Sequence, residues 1–533
     1  MALAAASAAL ALVPTAAQAA TTVQAEALAL DPTSAGTVIS DSAASGGQAK
    51  KIWANGAGSR SISVAEDSVK LVVRARGQQC GGAPNMAVSL DGVSRLSTPV
   101  ASTTYADYSA AITLPRGTHT LRVAFTNDYR SASCDRNLIV DSINLQAGAI
   151  TSPTPTEPTS APAVPIALKT GFESRGGSGW TSLSEEQSFL RGLDAASDRV
   201  SLSEIGRSVE GRPIQLVTVG APRTKAEIAA GSAALFICTQ HGTEPAGREA
   251  CLQGARDHAN ATDATTVLIV PTANPDGFAH TNRHNANGVD VNRDHLALAT
   301  PEARALAAVI RDYKPDLLGD MHEYQTSGAS SVLFANPSKY HLNVDPQIGQ
   351  LASTLHHSYA VPALTGAGFS TGLYWSDGSQ ADERVMRQQA MLRHTPSLLV
   401  ETPRLGTLSP LRRVKAQSIA IGAMVKMVRE KTAELASVTA ASRQRATAEG
   451  AAGNQRYYYS SPSTYSDTPP CGYRLTDSQY WGAQRTLGLH GISATSVNGS
   501  WTVSAAQASQ PDIGLLLDSR APYEVTTGQR LSC

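Results

Sequence analysis

The sequence lacks a net charge, and this absence limits the kinds of partner that the chain can bind. Lys and Arg together number 44, as do Asp and Glu, so the formal net charge at pH 7 is zero. Nucleic-acid-binding proteins usually carry a basic patch or stripe, so the balance predicts no nucleic-acid partner. A charged small substrate is still compatible with it, because a site needs only one or two local charges.

Long hydrophobic runs are also missing beyond the first nineteen residues. A membrane-spanning helix needs about 20 consecutive apolar residues, and no later segment supplies them, which predicts no membrane association. Residues 1–20 are rich in alanine and leucine, and Ala17-Gln18-Ala19 has the small-residue pattern typical of signal-peptide cleavage. The segment contains no Lys or Arg, so a disordered alanine-rich leader is the alternative. We expect a soluble product that is secreted and extracellular.

Cysteine is scarce, with six in 533 residues, which fits an oxidising compartment. Cys80 and Cys134 fall in one region and Cys471 and Cys533 in another, so we expect a disulfide within each region. The remaining pair, at positions 238 and 251, falls on a predicted strand and the following helix. Strands and helices usually lie too far apart to be bridged, which favours buried thiols, although sequence alone does not settle the pairing.

The length predicts about three domains, and composition changes along the chain mark their boundaries. Residues 21–148 contain short alternating strands separated by Gly, Asn and Asp turns, which is typical of a β-sandwich. Residues 149–165 are rich in Pro, Thr and Ser and form the linker. Strands alternate with helices over 166–438, and residues 456–533 form a small C-terminal module for which we expect stabilisation of, or docking onto, the preceding domain.

The middle domain is predicted to be α/β, with a sheet covered on both faces. Its near-continuous apolar strands fall at 235–238, 267–270, 317–318 and 398–400. One helix is predicted to begin at Ser184, which forms a capping box with Gln187, and another begins at Thr300-Pro301. The last helical stretch covers about 411–437 and is followed by a break at 449–455. Within the C-terminal module, Thr476 and Gln479 form a second capping box.

Polar side chains follow four of these strands, at the point where each strand ends. His241 and Glu244, Asn274 to Gly277, His322, and Glu401 therefore reach the same sheet edge, where α/β proteins bind their ligands. Two histidines and a glutamate can hold a catalytic zinc ion with its fourth position open. Taken one at a time, a histidine is more often a surface or core residue and Glu401 could belong to a salt bridge, but the joint pattern favours a metal site.

The chain from about 166 to 435, half of the sequence, resembles the zinc carboxypeptidases of the carboxypeptidase A type. The matching segments are 205–214 (IGRSVEGRPI), 241–245 (HGTEP), 274–278 (NPDGF), Arg283, 288–293 (GVDVNR), 320–322 (DMH), Tyr374 and 399–402 (LVET). The resemblance implies a mixed eight-stranded sheet with helices on both faces and a Zn²⁺ cofactor.

The resemblance also implies a role for each matched side chain. His241, Glu244 and His322 would hold zinc, and Glu401 would be the general base. Arg283 would stabilise the oxyanion. The substrate's terminal carboxylate would be bound by Asn292 and Arg293, and Tyr374, with Gly378-Ser379 just after it, would close over the substrate.

The N-terminal module resembles a calcium-dependent carbohydrate-binding module of the xylan-binding type. The segments that carry this resemblance are 77–84 (GQQCGGAP), 127–129 (NDY) and 134–141 (CDRNLIVD). Asp128 and Asp135 would be Ca²⁺ ligands, since carboxylate oxygens suit calcium; alternatively these aspartates cap turns. An activation pro-peptide is a further alternative for this region. Binding of polysaccharide or cell wall would hold the hydrolase near its substrate.

Three functions are consistent with these patterns. The leading hypothesis is a secreted zinc-dependent metallocarboxypeptidase that hydrolyses C-terminal peptide bonds of a peptide substrate. Asp294-His295 and Glu323 differ from the digestive carboxypeptidases and are closer to bacterial amidases, which makes a peptidoglycan-peptide amidase or endopeptidase of the γ-glutamyl-diaminopimelate type the alternative. An inactive carbohydrate-binding protein is the third, although every catalytic position holds a competent residue.

Overall fold

The computed structural model describes residues 20–64, 68–91, 93–114, 116–131, 133–147, 166–221, 223–261, 265–374, 381–497 and 499–533. The predicted linker and all but the last residue of the predicted signal peptide lie outside these ranges, as do Gly378 and Ser379. The chain divides into two compact units, one before and one after residue 155.

The N-terminal unit consists of two antiparallel sheets. Within the described residues its strands are β1 Ala20–Gln24, β2 Ala29–Asp31, β3 Gly36–Ser40, β4 Gln48–Ile52, β5 Gly56–Val64, β6 Ser68–Gln78, β7 Asn85–Leu90, β8 Val93–Pro99, β9 Ala106–Leu114, β10 Gly117–Phe125 and β11 Asn137–Ala147. One sheet has the order β3-β4-β11-β6-β9, with β1 also paired to β11, and the other has the order β2-β5-β10-β7-β8.

Alternating residues of these strands build the core of the N-terminal unit. Leu71 and Val73 of β6 and Val88 and Val123 of the opposite sheet are buried in one apolar cluster, because successive side chains of a strand point to opposite faces. The predicted disulfide between Cys80 and Cys134 is confirmed. The β-sandwich class predicted from the turn pattern is therefore confirmed.

The second unit contains the α/β domain and the C-terminal module. The elements of the α/β domain are α1 Gly171–Ser174, α2 Leu183–Ala196, β12 Val200–Arg207, β13 Pro213–Val219, α3 Lys225–Ala229, β14 Ala233–Cys238, α4 Pro245–Ala259, β15 Thr266–Val270, α5 Pro275–Ala279, a 3₁₀ turn Val291–Arg293, α6 Pro301–Tyr313, β16 Leu317–Tyr324, β17 Val332–Phe334, α7 Pro346–Thr354, a π-helical turn Leu355–Ala360, α8 Val361–Gly366, β18 Thr371–Leu373, α9 Met386–Leu392, β19 Ser397–Pro403, α10 Pro410–Glu430 and α11 Thr432–Ala452.

The domain is built on a mixed eight-stranded sheet with the order β12-β13-β15-β14-β16-β19-β17-β18. The four central strands β15, β14, β16 and β19 run parallel, so their carboxyl ends lie at one edge. One face is covered by α2, α4 and α10, and the other by α3, α6 and α9, each with its own apolar cluster. The predicted fold class is confirmed.

Two predicted helix boundaries are wrong. Helix α2 begins at Leu183, because Ser182 rather than Ser184 accepts from the backbone of the third helical residue, Glu185, which in turn accepts from the Ser182 N–H. The sequence contains two overlapping Ser-x-x-Glu/Gln patterns, and the structure uses the first of them. The last helical stretch does not end near residue 437: α10 is followed directly by α11, which runs to Ala452. The helix predicted at Thr300-Pro301 begins there, with the Thr300 side chain as its N-cap, and the capping box predicted for Thr476 and Gln479 is present.

The expectation of two buried thiols at Cys238 and Cys251 is also wrong, because the structure joins them as a disulfide. Helix α4 turns back over the end of β14, and Cys251 at the end of its second turn faces Cys238 at the strand's last position. Their Cα atoms lie 7.2 Å apart. Strands and helices usually lie too far apart for a disulfide, but here the six-residue connection keeps α4 close to the end of β14.

The C-terminal module packs against the α/β domain through a shared apolar core. Its elements are β20 Tyr457–Ser460, β21 Thr464–Ser466, β22 Gly472–Thr476, α12 Asp477–Leu489, β23 Thr495–Val497, β24 Ser500–Ser504, α13 Gln510–Leu517 and β25 Gln529–Leu531. Leu475 and Leu515 contact a cluster that also contains Ile348 and Met391. The predicted disulfide between Cys471 and Cys533 is confirmed. No helix within the described ranges has the length and apolar character needed to cross a bilayer.

Candidate metal centre and active site

The connection between β14 and α4 supplies two of the predicted metal ligands. His241 lies three residues past the end of β14, and Glu244 occupies the position just before Pro245, the first residue of α4. Gly242 lies so close to the Gly277 backbone that any side chain there would overlap it. The backbone of this connection is therefore closely packed at Gly242, and it places His241 and Glu244 at the carboxyl edge of the sheet.

The third ligand lies on the neighbouring strand. His322 is in β16, and its Nδ1 atom lies 3.2 Å from Nδ1 of His241 and 2.8 Å from Oε2 of Glu244. Nδ1 of His241 lies 2.8 Å from Oε1 of the same carboxylate. All three side chains are buried. Among the described residues they are the one group of three or more His, Cys, Asp or Glu side chains placed to hold an ion.

The opposite nitrogen of each histidine is already engaged. Nε2 of His241 donates to Oδ1 of Asp290 at 3.0 Å, and Nε2 of His322 lies 2.8 Å from Oδ1 of Asp320 and 3.0 Å from Nδ2 of Asn292. With zinc bound, each imidazole would be neutral, with its proton on Nε2 and its Nδ1 lone pair available to the metal. The two Nδ1 atoms and the Glu244 carboxylate, 2.8–3.2 Å from one another, converge on one point. The donor set of two imidazoles and one carboxylate fits zinc with an open fourth position.

Glu401 lies directly beside this centre. Strands β16 and β19 are paired so that His322 and Glu401 are register partners. Glu401 is buried, and its Oε2 atom has no hydrogen-bond partner among the described residues. Burial raises the pKa of the Glu401 carboxyl well above its ordinary value. The result is an unengaged carboxylate oxygen with increased basicity at the metal position.

Two arginines bring positive charge to the same place. Arg283 donates from Nε and Nη2 to Oδ2 of Asp290, at 3.1 and 2.9 Å. Its Nη1 atom is left 3.3 Å from Nδ1 of His241. Arg293 donates from Nη1 to the carbonyl oxygen of Asn292, and its Nε lies 4.0 Å from Asp382. Both guanidinium groups are more than a third exposed, so they can reach a ligand.

These side chains line one cavity of about 800 Å³. Asn292 is buried in its wall, where Oδ1 accepts from the Met386 N–H and Nδ2 lies 3.0 Å from Nε2 of His322. Tyr374, just after β18, lines the cavity and packs edge-on against Tyr324, with the ring centroids 6.4 Å apart. Every zinc-site and substrate-site residue predicted from the sequence therefore lies on the same cavity.

The two predicted calcium ligands are more exposed than the predicted zinc ligands. Asp128 is exposed, and its backbone N–H donates to Oδ1 of Asn55 at 2.8 Å. Asp135 is half-buried and accepts from Nδ2 of Asn137 at 3.4 Å. Neither belongs to a group of three or more ion-binding side chains in the described part of the chain.

Sequence reasoning did not assign roles to several residues of the site. Asp290 and Asp320 orient the histidines, and Gln240 donates to Asp320 at 2.6 Å. Both aspartates lie inside the motif segments, but spacing alone does not distinguish them from solvated carboxylates. Arg387, buried on the cavity wall, lies on a helix whose polar residues have no periodic signal. For Gln240 and Asp320, the one clue in the sequence is that they lie within two residues of His241 and His322.

Comparison with known proteins agrees with this geometry. The family model for zinc carboxypeptidase matches residues 186–460, and that for a Ca-dependent carbohydrate-binding module, xylan-binding, matches residues 70–157. Carboxypeptidase 2 of Trichophyton rubrum is 28% identical over 248 residues, which are 42% of this chain and 45% of that protein. Carboxypeptidase E of Caenorhabditis elegans is 37% identical over 118 residues, 18% of this chain and 25% of that protein. The chain thus spans about half the length, or less, of these curated relatives.

Two solved carboxypeptidase structures are also similar to this chain. A metallo-carboxypeptidase from Burkholderia cenocepacia is 18% identical, with a TM-score of 0.38, over 72% of this chain and 89% of that one. The carboxypeptidase A of Helicoverpa armigera is 19% identical, with a TM-score of 0.38, over 47% and 74%. The family match covers more than half of the sequence and includes all three ligands and Glu401. The chain belongs to the zinc carboxypeptidase family, with a calcium-dependent carbohydrate-binding module at its N-terminal side.

Proposed function

We propose that this chain is a zinc-dependent carboxypeptidase that hydrolyses the C-terminal peptide bond of its substrate. One observation carries the proposal: two imidazole Nδ1 atoms and the Glu244 carboxylate face one point beside the unengaged oxygen of Glu401. Zinc bound there would lower the pKa of a water molecule toward neutrality and polarise the scissile carbonyl. The protein's own residues would supply the base, the oxyanion donor and the substrate clamp.

Glu401 is proposed as the general base and acid. Its buried position makes the ionised carboxylate a stronger base than an exposed one, because the charged form is less well solvated. The carboxylate would take a proton from the water molecule and return it to the leaving amine. The free Oε2 atom supports this role, since a base already holding a hydrogen bond would have to break it first.

Arg283 is proposed as the oxyanion donor. Two of its guanidinium nitrogens are fixed by Asp290, which sets the plane of the group and leaves Nη1 toward the metal position. A donor held in place before the reaction stabilises the negative charge that develops on the carbonyl oxygen without reorganising.

Arg293 and Asn292 are proposed to bind the terminal carboxylate of the substrate. The planar guanidinium can form paired hydrogen bonds with a carboxylate. The Asn292 amide nitrogen carries two N–H donors, so it can also contact the ligand. Tyr374 on the cavity wall would cover the bound substrate. A free C-terminus thus meets a cationic wall next to the catalytic carboxylate.

Exopeptidase action is favoured over the wall-peptide amidase alternative. Asp294 and His295 suggested an amidase in sequence, but both are buried and turn away from the cavity. Asp294 accepts from the N–H and hydroxyl of Thr300, and Nε2 of His295 lies 2.6 Å from Oε1 of Gln240. Glu323, the third residue of this kind, lines the cavity, but its carboxylate accepts from the Ala246 N–H and from Arg413. All three residues thus make structural contacts, which leaves the cationic clamp as the main guide to the substrate.

The proposal is tested by product analysis on three substrates of matched length: a peptide with a free C-terminus, its C-terminal amide and a γ-glutamyl-diaminopimelate muropeptide. We expect release of single residues from the free-acid peptide. Arg293→Ala should raise KM for that peptide roughly tenfold to hundredfold, as expected for a lost charged hydrogen bond, with little change for the amide. Arg384→Ala is the matched control, because Arg384 pairs with Asp382 and does not line the cavity.

Cleavage of the muropeptide alone would contradict the carboxypeptidase proposal and favour the amidase. An equal KM increase for free-acid and amidated peptides would contradict the role of Arg293. Retained activity after complete zinc removal would contradict both enzyme proposals.

We also propose that the protein is secreted and that its N-terminal module binds xylan or a related wall polysaccharide with calcium held by Asp128 and Asp135. The disulfides fit an oxidising compartment, and the match to a xylan-binding module supports the ligand.

Residues 21–148, 166–438 and 456–533 would then be the glycan-binding, catalytic and docking parts. Calcium chelation, or the Asp128→Ala variant, should abolish xylan retention and leave peptide hydrolysis intact once zinc is restored.

A further inference from the structure

A groove of about 750 Å³ lies between the α/β domain and the C-terminal module, away from the zinc cavity. Its walls come from β12 and α6 on one side and from α12 and the residues after it on the other. No described residue lines both this groove and the zinc cavity. The groove is therefore separate from the proposed active site, and none of its lining residues has a proposed role in peptide hydrolysis.

The groove is lined by cations and contains no carboxylate among its described lining residues. Its arginines are Arg207, Arg304, Arg311 and Arg485. The first and third have carboxylate partners, Glu204 at 2.8 Å and Asp312 at 2.7 Å, but Arg304 and Arg485 do not.

Arg304 donates to the carbonyl oxygens of Leu298 and Ala299. Arg485 is exposed and forms no ion pair or hydrogen bond in the part of the chain that the structure describes. Two full positive charges in the groove are therefore uncompensated by the protein, which favours an anionic ligand.

An aromatic platform continues from the groove. Tyr480, which lines the groove, stacks on Trp501 with the ring centroids 3.7 Å apart and the planes within 10°. Trp481 meets both rings edge-on, at 5.2 and 5.5 Å, and is 59% exposed. The indole of Trp481 is the exposed part of this platform, while Tyr480 and Trp501 are half-buried. The electron-rich face of this indole suits the slightly positive C–H face of a pyranose ring.

We propose that this groove is a second glycan-binding site, and that its ligand is an acidic polysaccharide carrying uronate carboxylates. A sugar ring would pack on the Tyr480–Trp481–Trp501 platform, and the carboxylate of that or the next ring would bind Arg485 and Arg304. Arginine provides two parallel donors for a carboxylate, which a neutral glycan would leave unmatched.

Other anionic polymers fit the surface less well. Arginine and aromatic side chains also bind single-stranded nucleic acid, but the N-terminal side of the chain matches a carbohydrate-binding module, which favours a saccharide ligand. A polysaccharide long enough to reach both sites would be held by both, and the second contact would then be intramolecular. The groove would add affinity for acidic wall regions that the first module does not select.

The test uses the full chain and isothermal titration calorimetry with a galacturonate hexasaccharide. Neutral xylohexaose, oligothymidylate and polyglutamate are the comparison ligands. We expect the uronate to bind and its affinity to fall as salt concentration rises. Arg485→Glu and Trp481→Ala should each weaken binding at least tenfold, without altering peptide hydrolysis, zinc content or xylohexaose binding. Arg474→Glu is the matched control, because Arg474 is an exposed arginine of the same module outside the groove, and it should leave the affinity unchanged.

Failure of the uronate to bind, or binding that neither groove variant weakens, would overturn the proposal. Tighter binding of oligothymidylate than of the uronate would assign the groove to nucleic acid instead. Equal binding of polyglutamate, with no effect of Trp481→Ala, would reduce the site to a charged surface and also overturn it.

Discussion

Single hydrogen bonds determine how the two metal-ligating histidines present their nitrogens. Asp290 accepts from Nε2–H of His241 and Asp320 lies 2.8 Å from Nε2 of His322, so the two Nδ1 atoms, 3.2 Å apart, are the nitrogens that face the metal position. Asp290 also fixes the guanidinium of Arg283. One carboxylate therefore orients both a metal ligand and the proposed oxyanion donor.

We predict that Asp290→Asn weakens zinc binding about tenfold to hundredfold, as is usual when a partner of a metal-bound histidine is changed. The amide can still accept a hydrogen bond, but it no longer offers the charge that raises ligand basicity. Zinc affinity is measured by competition with a chelator. Asp382→Asn, which removes a nearby carboxylate with no contact to the histidines, should leave the affinity unchanged.

We predict that Glu401→Gln keeps zinc stoichiometry at the wild-type level but lowers kcat by about 10²–10⁴, the usual contribution of a general base. Glutamine fills the same space and carries no proton-accepting carboxylate. Metal analysis and steady-state kinetics on the same preparation check both parts. Loss of zinc from this variant would mean that Glu401 is a ligand rather than a base.

The sequence predicts the metal ligands and Glu401 but not the aspartates that orient the histidines. His241, Glu244, His322 and Glu401 could be predicted because each lies after or near the carboxyl end of a buried strand, and parallel strands end at the same edge. Asp290 and Asp320 could not be assigned, since orienting a histidine leaves no spacing pattern. Their function appears only when the backbone brings the carboxylate within hydrogen-bond distance of the ring.

At the scale of elements, the β14–α4 connection is the most constrained part of the site. It contains both His241 and Glu244, and its path is narrowed by the contact of Gly242 with the Gly277 backbone. The disulfide between Cys238 and Cys251 closes a loop around both ligands. The strand and the helix thus hold the two ligands at a set separation.

We predict that the double variant Cys238→Ala/Cys251→Ala loses about 3 kcal/mol of unfolding free energy, because the unfolded chain regains the freedom of a short closed loop. The temperature at which zinc is released and activity is lost should fall. Cys80→Ala/Cys134→Ala, the matched control in the other compact unit, should not move that temperature. An unchanged zinc-release temperature in the first variant would contradict the tethering role.

The element boundaries show where sequence patterns reach their limit. The starts of the strands were predicted well, because runs of apolar residues mark them directly. The predicted ends at 318 and 400 are wrong, because β16 and β19 continue through the polar residues of the site to Tyr324 and Pro403. The predicted start of α2 is also wrong, since Ser182–Glu185 and Ser184–Gln187 are equivalent as local patterns. The Cys238–Cys251 bond was missed because it depends on the direction in which α4 leaves a six-residue connection, which no local pattern encodes.

At the scale of the whole molecule, buried ion networks join and stabilise the C-terminal module. Asp512 of α13 lies 3.4 Å from Nδ1 of His490 and 3.8 Å from Nε of Arg393, which follows α9 of the α/β domain and donates to the same Nδ1 at 2.8 Å. Within the module, Asp518 accepts from Tyr473 and Arg520. Breaking one partner of such a network leaves a buried charge unpaired, which is costly.

We predict that Asp518 makes the module acid-sensitive. Burial alone would raise the pKa of Asp518, but hydrogen bonds from Arg520, Tyr473 and Arg530 outweigh it and lower the pKa to about 2. Because the folded pKa is below the unfolded value, the stabilisation is present above about pH 4 and is lost as pH falls toward 2. It should amount to about 1–2 kcal/mol after allowance for solvent screening.

Unfolding free energies measured between pH 7 and pH 2 check this prediction, with Asp518→Asn as the comparison. The variant should be less stable at pH 7 and should lose less stability on acidification than the wild type. Parallel pH profiles for the two proteins would contradict the assignment.

Anomalous X-ray diffraction from crystals of the zinc-loaded protein, recorded above and below the zinc absorption edge, tests the metal site most directly. A single peak is expected, within about 2.0–2.1 Å of Nδ1 of both His241 and His322 and in contact with the Glu244 carboxylate. A density map with no zinc peak between these side chains, or with the metal bound elsewhere, would contradict the proposed enzyme.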